Sequence, residues 1–204
     1  MQTPSIVVFD LGQVLVDFDY SIAARKIAAR SAKPPENVHS FLGSSPLLVQ
    51  FETGLMTREQ FYHEVCSAIG FRGTLEEFGG FFADIFSEIE PMIQLHAELR
   101  KRGLLTYVLS NTNDLAIEHV RRNFPFFKNF DGYIFSYEVK SMKPDVKIYE
   151  ALEQLTGRRG AEILYIDDRA ENIEVGVARG WRTIFHETPE RTHAAIRELK
   201  LIHS

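Results

Sequence analysis

Disulfides are excluded at once, because the 204-residue chain holds a single cysteine, Cys66. It falls in a stretch with helical spacing, TREQFYHEVCSAIG, where it reads as a packing residue. No apolar run approaches the ~20 residues that a membrane-spanning helix needs. The N-terminal stretch lacks the basic segment, apolar run and small-residue cleavage site of a secretory leader. Basic residues are not in excess: 23 Lys and Arg against 28 Asp and Glu leave a formal net charge of −5, which argues against a nucleic-acid partner. Internal repeats and low-complexity segments are missing too. These absences lead us to expect a cytoplasmic protein with neither membrane nor nucleic acid as partner, and they leave its oligomeric state open.

What is present suffices for a folded core: 45% of residues are hydrophobic and 25% charged, far from the composition of a disordered chain. Short apolar runs predict strands at 5–10, 104–110, 132–136, 163–167 and 183–186. Helical patterns fall between them at 91–102, 113–123, 145–156 and 170–179. Strands alternating with helices of this length predict an α/β fold, a Rossmann-like parallel sheet with helices on both faces. The stretch 19–90 breaks the rhythm. It shows no convincing strand, only helical segments broken by Pro34-Pro35, Gly43-Ser44-Ser45-Pro46, Thr53-Gly54 and Gly79-Gly80. Thr57, with Gln60 three residues on, has the form of a helix-capping pair. The expected organisation is an α/β core at 1–18 and 89–204 with a helical insertion at 19–88. The insertion's many aromatics (Phe51, Phe61, Phe71, Phe78 and Phe82 among them) read as its own small core.

In an open parallel sheet, ligands bind beyond the carboxyl ends of the strands. The first expected strand ends on Asp10, the second on Ser110-Asn111 and the fourth on Asp167-Asp168, while Lys143 follows the third. Separately, each has an ordinary explanation: a turn aspartate, a helix cap, an exposed lysine before a proline. Together they place three carboxylates on one rim, where they repel without a counter-charge. A hard cation such as Mg²⁺ takes oxygen ligands and would supply one, and Lys143 a second. A carboxylate nucleophile surrounded by cations and hydrogen-bond donors suits phosphoryl transfer, in which alignment and charge stabilisation do most of the work.

VVFDLGQV, YVLSNTN, MKPDVKIY and YIDDRAENIEVGVARGW, in that order, resemble the four motifs of the haloacid dehalogenase-like hydrolases. FDLGQVLVDFD, FETG and LSNTN also resemble the branch that contains bacterial α-D-glucose-1-phosphate phosphatase and the phosphatase-like domain of soluble epoxide hydrolase. The resemblance implies a Mg²⁺-dependent phosphatase of a small phosphorylated metabolite, such as a sugar phosphate, working through an aspartyl phosphate. It implies Asp10 as nucleophile, with Ser110, Asn111 and Lys143 holding the phosphoryl group. Asp10, the Gly12 carbonyl and Asp168 would bind the metal, Asp167 would support it from behind, and the insertion would close over the site.

One departure stands out. Most phosphatases of this family carry a second aspartate two residues beyond the nucleophile, as acid and base, and here that position is Gly12. Its loss removes a contribution of roughly 10²–10⁴ in rate. Asp17, Asp19, Glu52 and His63 are the candidate replacements, and an easily departing anomeric oxygen would lessen the need for any of them. Two alternatives follow from the same gap: a metal-independent 2-haloacid dehalogenase, against which the Asp167-Asp168 pair speaks, and a phospho-ligand binder that no longer turns over.

Overall fold

The computed structural model describes residues 3–202; positions 1–2 and 203–204, the outer ends of the expected core segments, lie outside it. In chain order, β1 (Ile6–Phe9) and β2 (Val16–Phe18) are followed by five helices, α1 (Tyr20–Ala28), α2 (Pro35–Ser44), α3 (Pro46–Glu52), α4 (Arg58–Ile69) and α5 (Leu75–Ala83). Then come β3 (Phe86–Glu88), α6 (Glu90–Lys101), β4 (Leu105–Ser110), α7 (Asp114–Asn123) and β5 (Gly132–Phe135). The chain continues through α8 (Ser136–Val139), α9 (Val146–Thr156), β6 (Ile163–Asp167), α10 (Ala170–Ala178), β7 (Arg182–Phe185) and α11 (Pro189–Glu198), with short 3₁₀ turns at Pro125–Asn129 and Gly160–Glu162.

Five strands form one parallel sheet in the order β5-β4-β1-β6-β7. The central position of β1 follows from its sequence: Ile6, Val7, Val8 and Phe9 are all fully buried, as a strand covered on both faces requires. Alternation divides them between two layers. Val7 and Phe9 pack with Met92, Leu95 and Leu99 of α6, Val120 of α7 and Ile196 of α11. Ile6 and Val8 pack on the other face with Ile148, Tyr149 and Leu152 of α9. Because β4 and β6 flank β1 on opposite sides, the order reverses at β1, which is where such sheets open a crevice for ligand.

Helices α1–α5 build a separate core from Ala23, Ile27, Val38, Leu42, Phe51, Phe61, Val65, Phe78 and Phe82. Its rings are in direct contact, with Phe51 stacked on Phe61 at 4.6 Å between centroids. The Thr57–Gln60 and Thr74–Glu77 capping boxes start α4 and α5. The expectation of no strand within 19–90 is corrected by β3, which pairs antiparallel with β2. This ribbon forms the connection between the five helices and the sheet. Its strands are three residues each, too short for an alternating pattern to stand out from its surroundings. No helix among the described residues is long and apolar enough to cross a membrane.

Candidate active site

Asp10, Ser110, Asn111, Lys143, Asp167 and Asp168 gather at the carboxyl end of the sheet, around β1. Asp10 is brought there by the backbone bond from its N–H to the Ile166 carbonyl, 2.9 Å, which continues the β1–β6 ladder one residue past the strand. Its carboxylate Oδ1 accepts from the Leu11 N–H at 2.7 Å and pairs with the Lys143 ammonium at 2.8 Å. Oδ2 carries neither bond.

Lys143 is buried, and its three protons are all used. Nζ meets Asp10 Oδ1 at 2.8 Å, donates to Asp167 Oδ2 at 2.7 Å and donates to the Leu109 carbonyl at 2.9 Å. Burial pulls the ammonium toward neutrality, but the two carboxylates outweigh it and its pKa is raised. An isolated charge here would be costly; as a pair with hydrogen-bond support it is tolerated.

Asn111 was expected to hold a phosphoryl group, and its side chain is committed elsewhere. Nδ2 donates to the Lys143 carbonyl at 2.9 Å, and Oδ1 accepts from the Lys143 N–H at 2.7 Å. With both ends of the amide on one residue's backbone, the Asn111 side chain ties the loop after β4 to the segment that carries Lys143. Ser110 is buried at the end of β4, its hydroxyl 3.3 Å from the Asn111 carbonyl. Asn113, three residues on, caps α7 through Ala116 N–H at 3.0 Å.

Asp167 is fully buried and both its oxygens are occupied. Oδ2 accepts from Lys143 and from the Tyr165 hydroxyl; Oδ1 accepts from the Arg169 N–H and the Asn172 amide, each at 2.9 Å. Burial favours its neutral form, yet Lys143 and these donors win and its pKa is lowered. Tyr165 and Asn172 did not emerge from the sequence. Tyr165 had a signal, being two residues before Asp167 on a strand and so on the same face.

Asp168 is half-buried, and burial with the charge of Asp167 raises its pKa. Asp10 is raised to about 7, first by burial and then by Asp167 and Asp168, against the pull of Lys143. One oxygen from each of Asp10, Asp167 and Asp168 lies within 4.8 Å of the others. Two carboxyls pushed toward neutrality at one rim, with Lys143 already fully engaged, form a donor set that a divalent cation would complete. Since Asp167 has no oxygen to spare, Asp10 and Asp168 are the carboxylates left to hold it.

Gly12 sits where the chain turns from β1 toward β2. A Cβ on it would come within 2.9 Å of Phe18 Cε1, and the Phe18 ring is itself packed edge-on against Tyr20 and Phe86. Asp17 accepts from Gln13 Nε2 and the Phe18 N–H, and Asp19 caps α1 through Ser21; both are exposed.

Residues 4–180 match the sequence model of the haloacid dehalogenase-like hydrolases. The chain belongs to that family. Among curated relatives of this hydrolase, acyl-CoA dehydrogenase family member 10 of Mus musculus is 28% identical over 96% of the chain, which corresponds to only 19% of that protein's length. The D-ribitol-5-phosphate phosphatase of Bacteroides thetaiotaomicron is 22% identical, the match covering 87% of this chain and 89% of that one. Among solved structures, a HAD family enzyme of Bacteroides thetaiotaomicron in complex with magnesium and inorganic phosphate superposes with a TM-score of 0.78 at 26% identity, over 89% of this chain and 93% of that one.

Proposed function

We propose that this hydrolase is a Mg²⁺-dependent phosphatase of small phosphorylated metabolites of the sugar-phosphate class, working through a phosphorylated Asp10. The observation that carries the reading is Lys143 fixed between Asp10 and Asp167, with Asp168 on the same rim. The phosphatase and the magnesium–phosphate complex among the similar proteins support it.

Asp10 Oδ2, free of the bonds that hold Oδ1, attacks phosphorus. Lys143 opposes the negative charge at Asp10 and at the entering phosphate, and Ser110 donates its hydroxyl to a phosphate oxygen. Asn111 keeps Lys143 in register through its backbone. Asp10, the Gly12 carbonyl and Asp168 would hold Mg²⁺, whose charge, when bound, allows both carboxylates to be ionised beside a phosphate. Asp167 contributes by orienting Lys143.

The test is phosphate release from a panel containing glucose 1-phosphate and a pentitol 5-phosphate, with Mg²⁺ and after chelation. Asp10→Asn is assayed alongside. Release that needs Mg²⁺ and vanishes in a folded Asp10→Asn protein is the expected result. Release that survives in Asp10→Asn, or that ignores chelation, overturns the reading.

A further inference from the structure

Gly12 leaves the reaction above without a proton donor at its family position. Of the four candidates that the sequence offers, three are spoken for or misplaced. Asp17 and Asp19 are exposed and bonded to their own turns, Asp17 to Gln13 and the Phe18 N–H, Asp19 to the N–H and hydroxyl of Ser21 at 2.8 and 2.7 Å. His63 lies on the exposed face of α4 beside Tyr62.

Glu52 is placed differently. It is the last residue of α3, and its carbonyl accepts from the hydroxyl of Ser136 at 2.6 Å. That hydroxyl in turn accepts from the Thr112 N–H at 2.9 Å, so one buried serine ties Glu52 to the loop that begins at Ser110. Two residues on, the Lys140 ammonium donates to the Gly54 carbonyl. Gly54 has φ +67°, and a Cβ there would sit 2.0 Å from the Tyr137 carbonyl oxygen, so no other residue lets this turn lie so close to α8.

The Glu52 side chain bonds to that of Asn113 in the Ser110 loop, and its charge acts on Tyr20 of α1. Tyr20 meets Phe18, and Phe18 covers Gly12. Glu52 is thus joined through Ser136 and Asn113 to the loop that follows β4, the strand beside the one that leads to Asp10. Burial raises Glu52 to about 7, the Asn113 side chain opposing, which leaves it able to give and take a proton near neutrality.

Resting on the phosphatase reading, we propose that Glu52 is the acid–base residue of this chain, supplied by the helical insertion in place of the aspartate absent at Gly12. As the bond from Asp10 to phosphorus forms and the ester P–O bond breaks, the departing oxygen takes the Glu52 proton and leaves as an alcohol. Water then bonds to phosphorus and its proton passes to Glu52, while the Asp10–phosphorus bond breaks to release inorganic phosphate. Both carboxyl groups return to their starting states.

Leaving-group chemistry separates this role from a structural one. An alkoxide needs the proton, whereas 4-nitrophenolate departs without it. Glu52→Gln keeps the size and is expected to slow phosphate release from an alkyl ester such as glycerol 2-phosphate by about 10²–10⁴. With 4-nitrophenyl phosphate the same variant gives a burst of one nitrophenolate per site at the wild-type rate, then slow turnover, because only the water step still needs a base. Unchanged rates overturn the proposal, and so does an equal loss on both esters that includes the burst. Inhibition by inorganic phosphate shows that the variant's site is formed; its disappearance would make Glu52 structural and also overturn the proposal. A wild-type protein inert toward every ester is a different failure, that of the phosphatase reading itself.

Discussion

Phe18 fills the space into which any side chain at Gly12 would project, since a Cβ there would lie 2.9 Å from its Cε1. Tyr20 and Phe86, each edge-on to the Phe18 ring at 5.7 and 6.2 Å, restrict its retreat.

Gly12→Ala is therefore expected to cost about 1–3 kcal/mol, the usual range for overpacking. Phe18→Leu should remove most of that penalty, so that the double variant resembles Phe18→Leu alone. Urea unfolding of the four proteins in a cycle measures this coupling, and strictly additive energies would refute it. It follows that Gly12→Asp cannot restore a family-type acid unless Phe18 also changes.

Asn111→Ala deletes two hydrogen bonds to the Lys143 backbone, of 2.9 and 2.7 Å, without touching the ammonium. Turnover should fall by about 100-fold, the scale of a small misplacement of a charged group. Asn111→Asp, which retains only an acceptor for the Lys143 N–H, should lie between. Wild-type turnover in Asn111→Ala would show that the lysine loop is held by other contacts.

Asp167→Asn leaves the buried Lys143 with a single carboxylate partner and should destabilise the fold by about 3–5 kcal/mol, the cost of breaking a buried pair from one side. Tyr165→Phe, which removes one donor to Asp167, should cost about 1 kcal/mol. Equal unfolding midpoints for Asp167→Asn and wild type would contradict this account of the pair.

His96 provides a pH signature away from the site. It is buried beneath Phe130, stacked at 3.9 Å, with Nε2 3.0 Å from the Thr106 hydroxyl. Burial, assisted by Arg100, lowers its pKa from 6.5 to about 4. The unfolded chain therefore takes up this proton first as pH falls, and the contribution of neutral His96, intact above pH ~6.5, is lost between there and pH ~4. Stability measured at pH 7 and pH 5 should fall more in wild type than in His96→Leu. Equal falls would place the titration elsewhere.

The sheet was legible because its strands are short, mostly apolar runs that alternate with helical patterns, and two of the inner ones, β1 and β6, run into acids. Asp10, Lys143 and Asp167 could be brought together from strand order alone. The β2–β3 ribbon could not, because it pairs residues about seventy positions apart through three residues a side. The committed amide of Asn111 was equally hidden: a side chain bonded to a backbone 32 residues away leaves no mark on either segment's composition. The capping boxes of α4 and α5 lie at the opposite extreme, being local in sequence and therefore visible there.

Lys143 also has a mechanical meaning. Its three protons reach Asp10 beyond β1, Leu109 on β4 and Asp167 on β6, three strands that lie side by side. One ammonium thus acts as a cross-brace over the middle of the sheet, and the charge that the proposed reaction sets against the phosphate cannot swing without loosening the brace. The reacting rim is a fixed anvil. On the proposed reading, the motion that admits and releases substrate, and the choice among substrates, fall to the five helices hung on the β2–β3 ribbon.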